Sequence, residues 1–336
     1  MRILSFTGSR AEYYILRPLF IKLSIQKNID FKLIVSGGIT NEANNKTLND
    51  IKKDKIDVVE IIDIPADYIN HSQIIGYLCI QLHPIISKIK PDLCIVYADR
   101  YESFAFTIAA THSNIIILHI EAGDITQGGT YDDYIRHCIT KMSHLFCTST
   151  KRGKSVVRAL GEENWRIIQS GLLSYDDMAL IKNSDKDALI KELNIDDSFP
   201  IILATMHPLT LDKEKTKRES VAFFRALYKI SVEEKVHIII TAPNSDNGND
   251  IIMEEINNLV RQRKEILFFE SLGGFRYQTL MSLAENRPVI VCGNSSSIIK
   301  EAPFFNAFSL NVGIRQQGRE AASTQINCIA KEDIIY

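Results

Sequence analysis

Short runs of consecutive aliphatic and β-branched residues recur along this chain, each separated from the next by a segment with helical spacing. No other feature constrains the fold as much. The runs are Ile3–Phe6, Phe31–Val35, Asp57–Ile61, Leu93–Tyr97, Ile115–Ile120 and Leu145–Thr148, then Ile201–Thr205, Val236–Thr241, Ile266–Phe269, Val289–Cys292 and Ala307–Leu310. Most are continuously apolar rather than alternating, the pattern of strands covered on both faces in a parallel sheet. Helix patterns such as Leu16–Ser24, Ser72–Lys90, Tyr134–Met142 and Ser220–Tyr228 lie between them. The alternation predicts α/β units with right-handed crossovers.

A chain of 336 residues suffices for about two domains at the usual ~150 residues each. The pattern breaks near Ser170–Asp177, after which a charged, helix-like stretch (Lys182–Leu193) leads to a fresh strand at Ile201. The economical expectation is two Rossmann-like domains, residues 1–172 and 173–336, with ligands at the carboxyl ends of the strands in the cleft between them. A net charge of −2 and a pI near 6.5 give no electrostatic reason to expect nucleic acid. The six cysteines (79, 94, 138, 147, 292 and 328) show no CxxC pair; for the four inside apolar runs, such as Cys94 and Cys292, buried, reduced thiols are expected. No stretch approaches the ~18 apolar residues of a membrane span. The first residues lack a signal-peptide pattern, so the expected location is cytoplasmic.

Residue types suited to chemistry fall directly after the expected strands. After the first comes Thr7-Gly8-Ser9-Arg10-Ala11-Glu12, a tight turn offering backbone N–H groups and an arginine to an anion; an ordinary βα turn with a surface arginine fits the same string. Asp99 follows Leu93–Tyr97, and Glu121 and Asp124 follow Ile115–Ile120. A Gly-rich segment, Thr126–Thr130, then leads into Tyr131-Asp132-Asp133-Tyr134-Ile135-Arg136-His137. Either aspartate there reads equally as a helix N-cap. Carboxylates on successive strand ends raise one another's pKa and can form an acid/base set.

The second half places His207 after Ile201–Thr205, where it could donate to a phosphate or simply fill a turn. Gly293-Asn294-Ser295-Ser296-Ser297 precedes a helix containing Glu301. Small hydroxylated residues at a helix N-terminus suit a diphosphate, and a glutamate about two turns in could reach a ribose diol; a serine N-cap is the plain alternative. Arg315 and Arg319 sit on a Gly-punctuated loop, suited to an anion or to a solvated surface.

Taken in order, these strings resemble the UDP-N-acetylglucosamine 2-epimerase family, most closely its hydrolysing branch that supplies N-acetylmannosamine for sialic acid synthesis. The resemblance runs from the Gly8–Tyr13 turn through Ala98–Glu102, His119–Asp124 and Tyr131–His144. It continues through His207-Pro208, Pro243–Gly248 and Gly293–Pro303 to Arg315–Arg319. It implies a GT-B-like pair of Rossmann-like domains facing across a cleft, a homodimer, and a reaction using neither NAD nor an obligatory metal. A base removes the proton on sugar carbon 2, UDP leaves carbon 1, and water adds to the resulting 2-acetamidoglucal. By motif position Asp99, Glu121 and Asp132 match the acid/base carboxylates, with Asp133 and Arg136 beside them. His207 and Arg10 match groups at the diphosphate, Ser295, Ser296 and Ser297 its cradle, and Glu301 the ribose holder. Asn244, Arg315 and Arg319 match further substrate-side positions. UDP-N-acetylglucosamine is the expected substrate. The rivals are a diacetamido-trideoxy sugar nucleotide of legionaminic acid synthesis, a GT-B glycosyltransferase reaction, and an inactive nucleotide-binding homologue.

The chain departs from the family at Tyr14, Ile39, Ala98, Ile298 and Ile314, of which Tyr14 and Ile39 are expected to bear on the sugar. Relatives usually continue past the equivalent of Tyr336 with a crossover helix, so that helix is expected to be short or absent.

Overall fold

Why the apolar runs are continuous becomes clear in the computed structural model, which describes residues 1–40, 46–68, 70–126, 131–181, 186–196, 198–244 and 246–336. Two units are distinguished, Met1–Ile125 with Asp132–Ser174 and Thr126–Tyr131 with Tyr175–Tyr336. Each is built on a parallel sheet whose inner strands are covered by helices. The first holds β1 (Arg2–Thr7), β2 (Asp30–Ser36), β3 (Val58–Ile62), β4 (Leu93–Tyr97), β5 (Ile116–Ile120), β6 (Leu145–Thr148) and β7 (Ile167–Gln169). Among the described residues their order is β3-β2-β1-β4-β5-β6-β7. The helices are α1 (Arg10–Ser24), α2 (Lys46–Lys53), α3 (His71–Ile89), α4 (Tyr101–His112), α5 (Asp132–Met142) and α6 (Lys151–Ala159).

Leu4, Phe6, Ile34, Cys94, Val96 and Ile117 pack with α3 and α4, while Ile3, Leu33, Val35, Ile95 and Tyr97 pack with α1. Neighbouring strand residues thus serve opposite cores, which is why both parities of the sequence are apolar.

The chain continues through α7 (Ser174–Ile181) and α8 (Lys186–Glu192) into β8 (Ile201–Thr205), α9 (Lys213–Glu233), β9 (His237–Thr241), α10 (Asn249–Gln262), β10 (Leu267–Phe269), α11 (Gly273–Ser282), β11 (Val289–Gly293), α12 (Ser297–Lys300), β12 (Phe308–Val312), β13 (Gln325–Cys328) and α13 (Glu332–Ile335). The strands of the second unit run β10-β9-β8-β11-β12-β13. Two strands escape a reading of the sequence: β7 and β13 are the edges of their sheets and expose half or more of their residues, so neither shows an apolar run. The helix-like stretch from Lys182 begins outside the described residues. Cys94 and Cys292 are buried, Cys138 is exposed, and all six cysteines are free thiols. Burial pushes the Cys94 thiol up to about 12. Among the described residues no helix is long and apolar enough to cross a membrane.

One close approach sets the end of β5. Gly123 has φ +76, and a Cβ there would lie 2.2 Å from the Gly153 carbonyl of α6 and 2.7 Å from Val157. Gly161 in the same unit also has positive φ (+94) but nothing within 4 Å of an added Cβ. Gly161→Ala should therefore cost only backbone strain, about 1–2 kcal/mol, whereas Gly123→Ala should cost at least about 3 kcal/mol through clash plus strain. Urea unfolding of the two variants checks this; equal losses would show that the approach of β5 to α6 is not tight.

Candidate functional site

In the first unit β4 and β5 end side by side, with Tyr97 opposite Ile120. Both chains then turn through left-handed backbone, Ala98 at φ 51 and Glu121 at φ 60. Such conformations cost about 1–3 kcal/mol at a non-glycine residue and persist only where neighbouring bonds fix them. Here the Ala98 N–H donates to the Ile120 carbonyl at 3.0 Å and the Ala122 N–H to the Cys147 carbonyl at 3.1 Å. The kinks place Asp99, partly exposed, and Glu121, buried at 4% exposure, at the carboxyl end of the sheet.

Helix α5 brings the other charges. Asp132 and Asp133 occupy its first turn, where carboxylates oppose the helix dipole favourably. Arg136 lies one turn on and is only 1% exposed. Its Nη2 donates to Asp99, and its Nη1 donates to Asp133 and, at 2.9 Å, to the Asp124 carbonyl. A guanidinium this deep requires counter-charge. The carboxylates that supply it keep 19% (Asp99) and 17% (Asp133) of their side-chain surface open. Arg136, matched by position to a substrate-binding group, is thus a brace beneath the acids, and Asp133 is paired to that brace.

Behind them His119 is fully buried. Its Nε2 lies 2.9 Å from the Ala98 carbonyl and its Nδ1 3.1 Å from Thr140 Oγ1. Burial pulls its pKa down to about 4, the Ala98 bond only partly opposing. Neither His119 nor Thr140 was singled out from the sequence, where both look like ordinary sheet and helix residues.

The β1–α1 turn needs a correction. The Gly8 N–H does not face outward but donates to Glu12 Oε2 at 2.9 Å, while Ser9 Oγ caps the helix by accepting the Glu12 N–H at 3.3 Å. Ser9-x-x-Glu12 is a variant capping box, a spacing visible in the sequence. Glu12 also accepts from Ser103 at 2.8 Å. Burial chiefly raises its carboxyl to about 6, against the lowering effect of Arg100. Arg10 is exposed on the first turn of α1. The departures at Tyr14 and Ile39 resolve within the unit: Tyr14 donates to Asp50 on α2 at 2.7 Å, and Ile39 is fully buried in the core.

In the second unit Thr205 is level with both Thr241 and Gly293, so the segments after β8, β9 and β11 leave together. The His207 N–H donates to Asn294 Oδ1 at 2.6 Å, and Asn294 Nδ2 returns a bond to the His207 carbonyl at 2.8 Å. His207 Nδ1 accepts the Asn244 N–H at 3.0 Å, which puts the ring proton on Nε2. Burial, then Arg315, pulls its pKa down to about 3, so His207 offers a neutral N–H donor rather than a cation.

Asn294 is fully buried, and its carbonyl accepts from Arg315 Nη1 at 3.2 Å and Gln316 Nε2 at 2.9 Å. Asn244 Oδ1 and Gln316 Oε1 are buried without a hydrogen-bond partner among the described residues, as groups reserved for a ligand would be. Ser297 Oγ donates to Ser295 Oγ at 3.0 Å and lies 3.1 Å from the Tyr277 hydroxyl.

The helix expected after the serines is one turn long. Ser296 stands at its N-cap with no side-chain capping bond, and Glu301 lies at its C-terminal end rather than two turns in, accepting from Gln278 at 3.2 Å. Arg319 is half-buried between β12 and β13. Gln127, Gly128, Gly129 and Thr130 of the Gly-rich segment, and Ser245, lie outside the described residues. Among the described residues no three His, Cys, Asp or Glu side chains group so as to hold a metal ion.

A histidine buried neutral must be protonated in the unfolded chain first. With a folded value near 4 against about 6.5 unfolded, the contribution of His119 is complete above pH 6.5 and declines as pH falls towards 4. The slope is about 1.4 kcal/mol per pH unit. His119→Gln should remove that increment from the pH dependence of urea unfolding between pH 4.5 and 6; an unchanged slope would mean that His119 titrates normally in the fold.

Three comparisons place this geometry among known proteins. Residues 22–336 match the family model described as UDP-N-acetylglucosamine 2-epimerase. The UDP-N,N'-diacetylbacillosamine 2-epimerase (hydrolyzing) of Legionella pneumophila is 29% identical over 337 residues, covering 99% of this chain and 86% of the relative. Polysialic acid biosynthesis protein P7 of Escherichia coli is 30% identical over 339 residues, covering 99% and 84%. Among solved structures, UDP-GlcNAc 2-epimerase from Neisseria meningitidis bound to UDP-GlcNAc shares the fold, with a TM-score of 0.80 at 19% identity over 93% of this chain and 82% of that one. With its model matched over nearly the whole sequence, the chain belongs to the UDP-N-acetylglucosamine 2-epimerase family of enzymes.

Proposed function

We propose that the chain is a hydrolysing 2-epimerase that converts UDP-N-acetylglucosamine and water to N-acetylmannosamine and UDP. The observation that carries this reading is the set Asp99, Glu121 and Asp132 at the ends of β4 and β5 and on the first turn of α5, with Arg136 beneath. One carboxylate takes the proton from carbon 2; the carbon 1–oxygen bond breaks and UDP departs with the electron pair, leaving the 2-acetamidoglucal. Water then adds its oxygen at carbon 1 as carbon 2 receives a proton on the opposite face. Two faces and a weakly acidic proton call for more than one positioned carboxyl group.

The roles divide along the sequence near residue 172. Beyond it, His207 Nε2–H and the hydroxyls of Ser295 and Ser296 serve the diphosphate, with Ser297 ordering them, and Glu301 holds the ribose, steadied by Gln278. Asn244, Arg315 and Arg319 complete the nucleotide side, and Arg10 supplies a cation from α1. A homodimer comes with this reading from the family resemblance, and a cytoplasmic location is proposed alongside it.

A second substrate has its own support: the Legionella relative is named for UDP-N,N'-diacetylbacillosamine at 29% identity. Mass spectrometry of products from a small nucleotide-sugar panel decides between them. UDP-N-acetylglucosamine in deuterated water should yield UDP and N-acetylmannosamine labelled at carbon 2. Turnover of the diacetamido sugar alone would move the substrate assignment, and UDP-N-acetylmannosamine as sole product would remove the hydrolytic step. Asp99→Asn and Glu121→Gln should each lower turnover at least ~100-fold while UDP affinity stays within a few-fold. Near-normal turnover in either would discharge that residue from acid/base work.

A further inference from the structure

Among the described residues, two connections can be traced from the end of β4 to α5. One is the ion pair between Asp99 and Arg136. The other passes through β5: His119 reaches the Ala98 carbonyl with Nε2 and Thr140, one turn beyond Arg136, with Nδ1. The Ala98 carbonyl belongs to the peptide plane that carries the Asp99 nitrogen, so whatever holds that oxygen sets the direction in which Asp99 leaves the sheet. Ala98 is left-handed at φ 51, and its N–H is already held by Ile120 of the same strand as His119. Both polar groups of the kinked residue are therefore fastened to β5.

The proton assignment follows from the partners. A carbonyl only accepts, so Nε2 must carry the hydrogen. A second ring proton would charge a fully buried imidazole, at a large desolvation cost. Nδ1 is then a lone pair and requires a donor. The Thr140 hydroxyl has one proton and two acceptors in reach, His119 Nδ1 at 3.1 Å and the Arg136 carbonyl at 2.9 Å. The Arg136 carbonyl already receives the helical N–H four residues on, so the hydroxyl proton can serve Nδ1 without leaving an orphan.

We infer that His119 and Thr140 are positioning residues for Asp99: the Thr140 hydroxyl orients the imidazole, and the imidazole fixes the Ala98–Asp99 peptide so that the carboxylate meets both Arg136 and the reacting sugar. The pair touches no substrate. For its effect on rate the inference rests on the function proposed above; for its geometry it does not.

The test uses the intact chain and paired variants. Gln places an amide donor where Nε2 stands, and Asn places one only where Nδ1 stands. His119→Gln should keep kcat within about threefold, whereas His119→Asn should lose at least ~10-fold in kcat with KM and UDP affinity changed by less than about twofold. Thr140→Ser should match wild type, and Thr140→Val, which keeps the shape and removes the hydroxyl, should fall like His119→Asn. Equal losses in Gln and Asn, or in Ser and Val, or losses seen mainly in KM, would overturn the inference.

If the wild-type chain turns over no nucleotide sugar, the function proposed above has failed, and two readouts still decide the positioning. Imidazole ¹⁵N NMR of the wild type should show a neutral ring with its proton on Nε2 at pH 6, and the crystal structure of Thr140→Val should show the Ala98–Asp99 peptide rotated from its wild-type plane. An Nδ1 proton, or an unmoved peptide, rejects it.

Discussion

A guanidinium with 1% of its surface exposed cannot stand alone, because an unpaired buried charge costs several kcal/mol. Much of the first unit's carboxyl edge follows from that requirement at Arg136. Asp99 after β4, Asp133 from the same helix and the carbonyl of Asp124 after β5 converge on it, so the segments that follow β4 and β5 are pinned to α5 at one point. Asp99 and Asp133 are thereby held in place, the kind of preorganisation on which electrostatic stabilisation depends. The surrounding apolar layers supply stability, and the charge supplies register.

The second unit solves a related problem with a buried amide. Asn294, sealed from solvent, exchanges two bonds with the backbone of His207 and receives two more on its carbonyl. A neutral amide can satisfy donors and acceptors at once, so Asn294 ties the ends of β8 and β11 without being charged itself, and Arg315 and Gln316 join the loop after β12 to it. His207 is kept neutral in the same neighbourhood. An anion bound near its Nε2–H would favour the protonated ring and reverse part of that depression.

How much of this was legible in the sequence depends on whether a residue acts alone or through partners. The central strands were plain, because a strand buried on both faces must be apolar at every position, as Leu93–Tyr97 and Ile201–Thr205 are. The edge strands β7 and β13 carry polar and exposed residues and left no such trace. Asp99, Glu121 and His207 could be picked out because each follows a strand, where α/β sheets place their ligands. The bracing role of Arg136 and the bridge through His119 depend on which side chain faces which across some 20 to 40 residues of chain, and no local pattern records that. Glu301 was recognised as a type but misplaced along its helix, since the single turn Ser297–Lys300 followed by a separate 3-10 turn at Ala302–Phe305 reads in sequence as one longer helix.

The left-handed residues at Ala98 and Glu121 also bear on how this sequence can drift. A β-branched or bulky side chain at either position would be a steric outlier, independent of any chemistry. At Ala98 even the methyl is packed into the first unit's core, so a larger residue would add crowding to strain. Most single changes there are thus screened by folding before catalysis is consulted, and glycine is the one neighbour that the backbone admits without strain. Constancy at these two positions among descendants of this chain would accordingly be a record of backbone geometry, whatever chemistry the side chains perform.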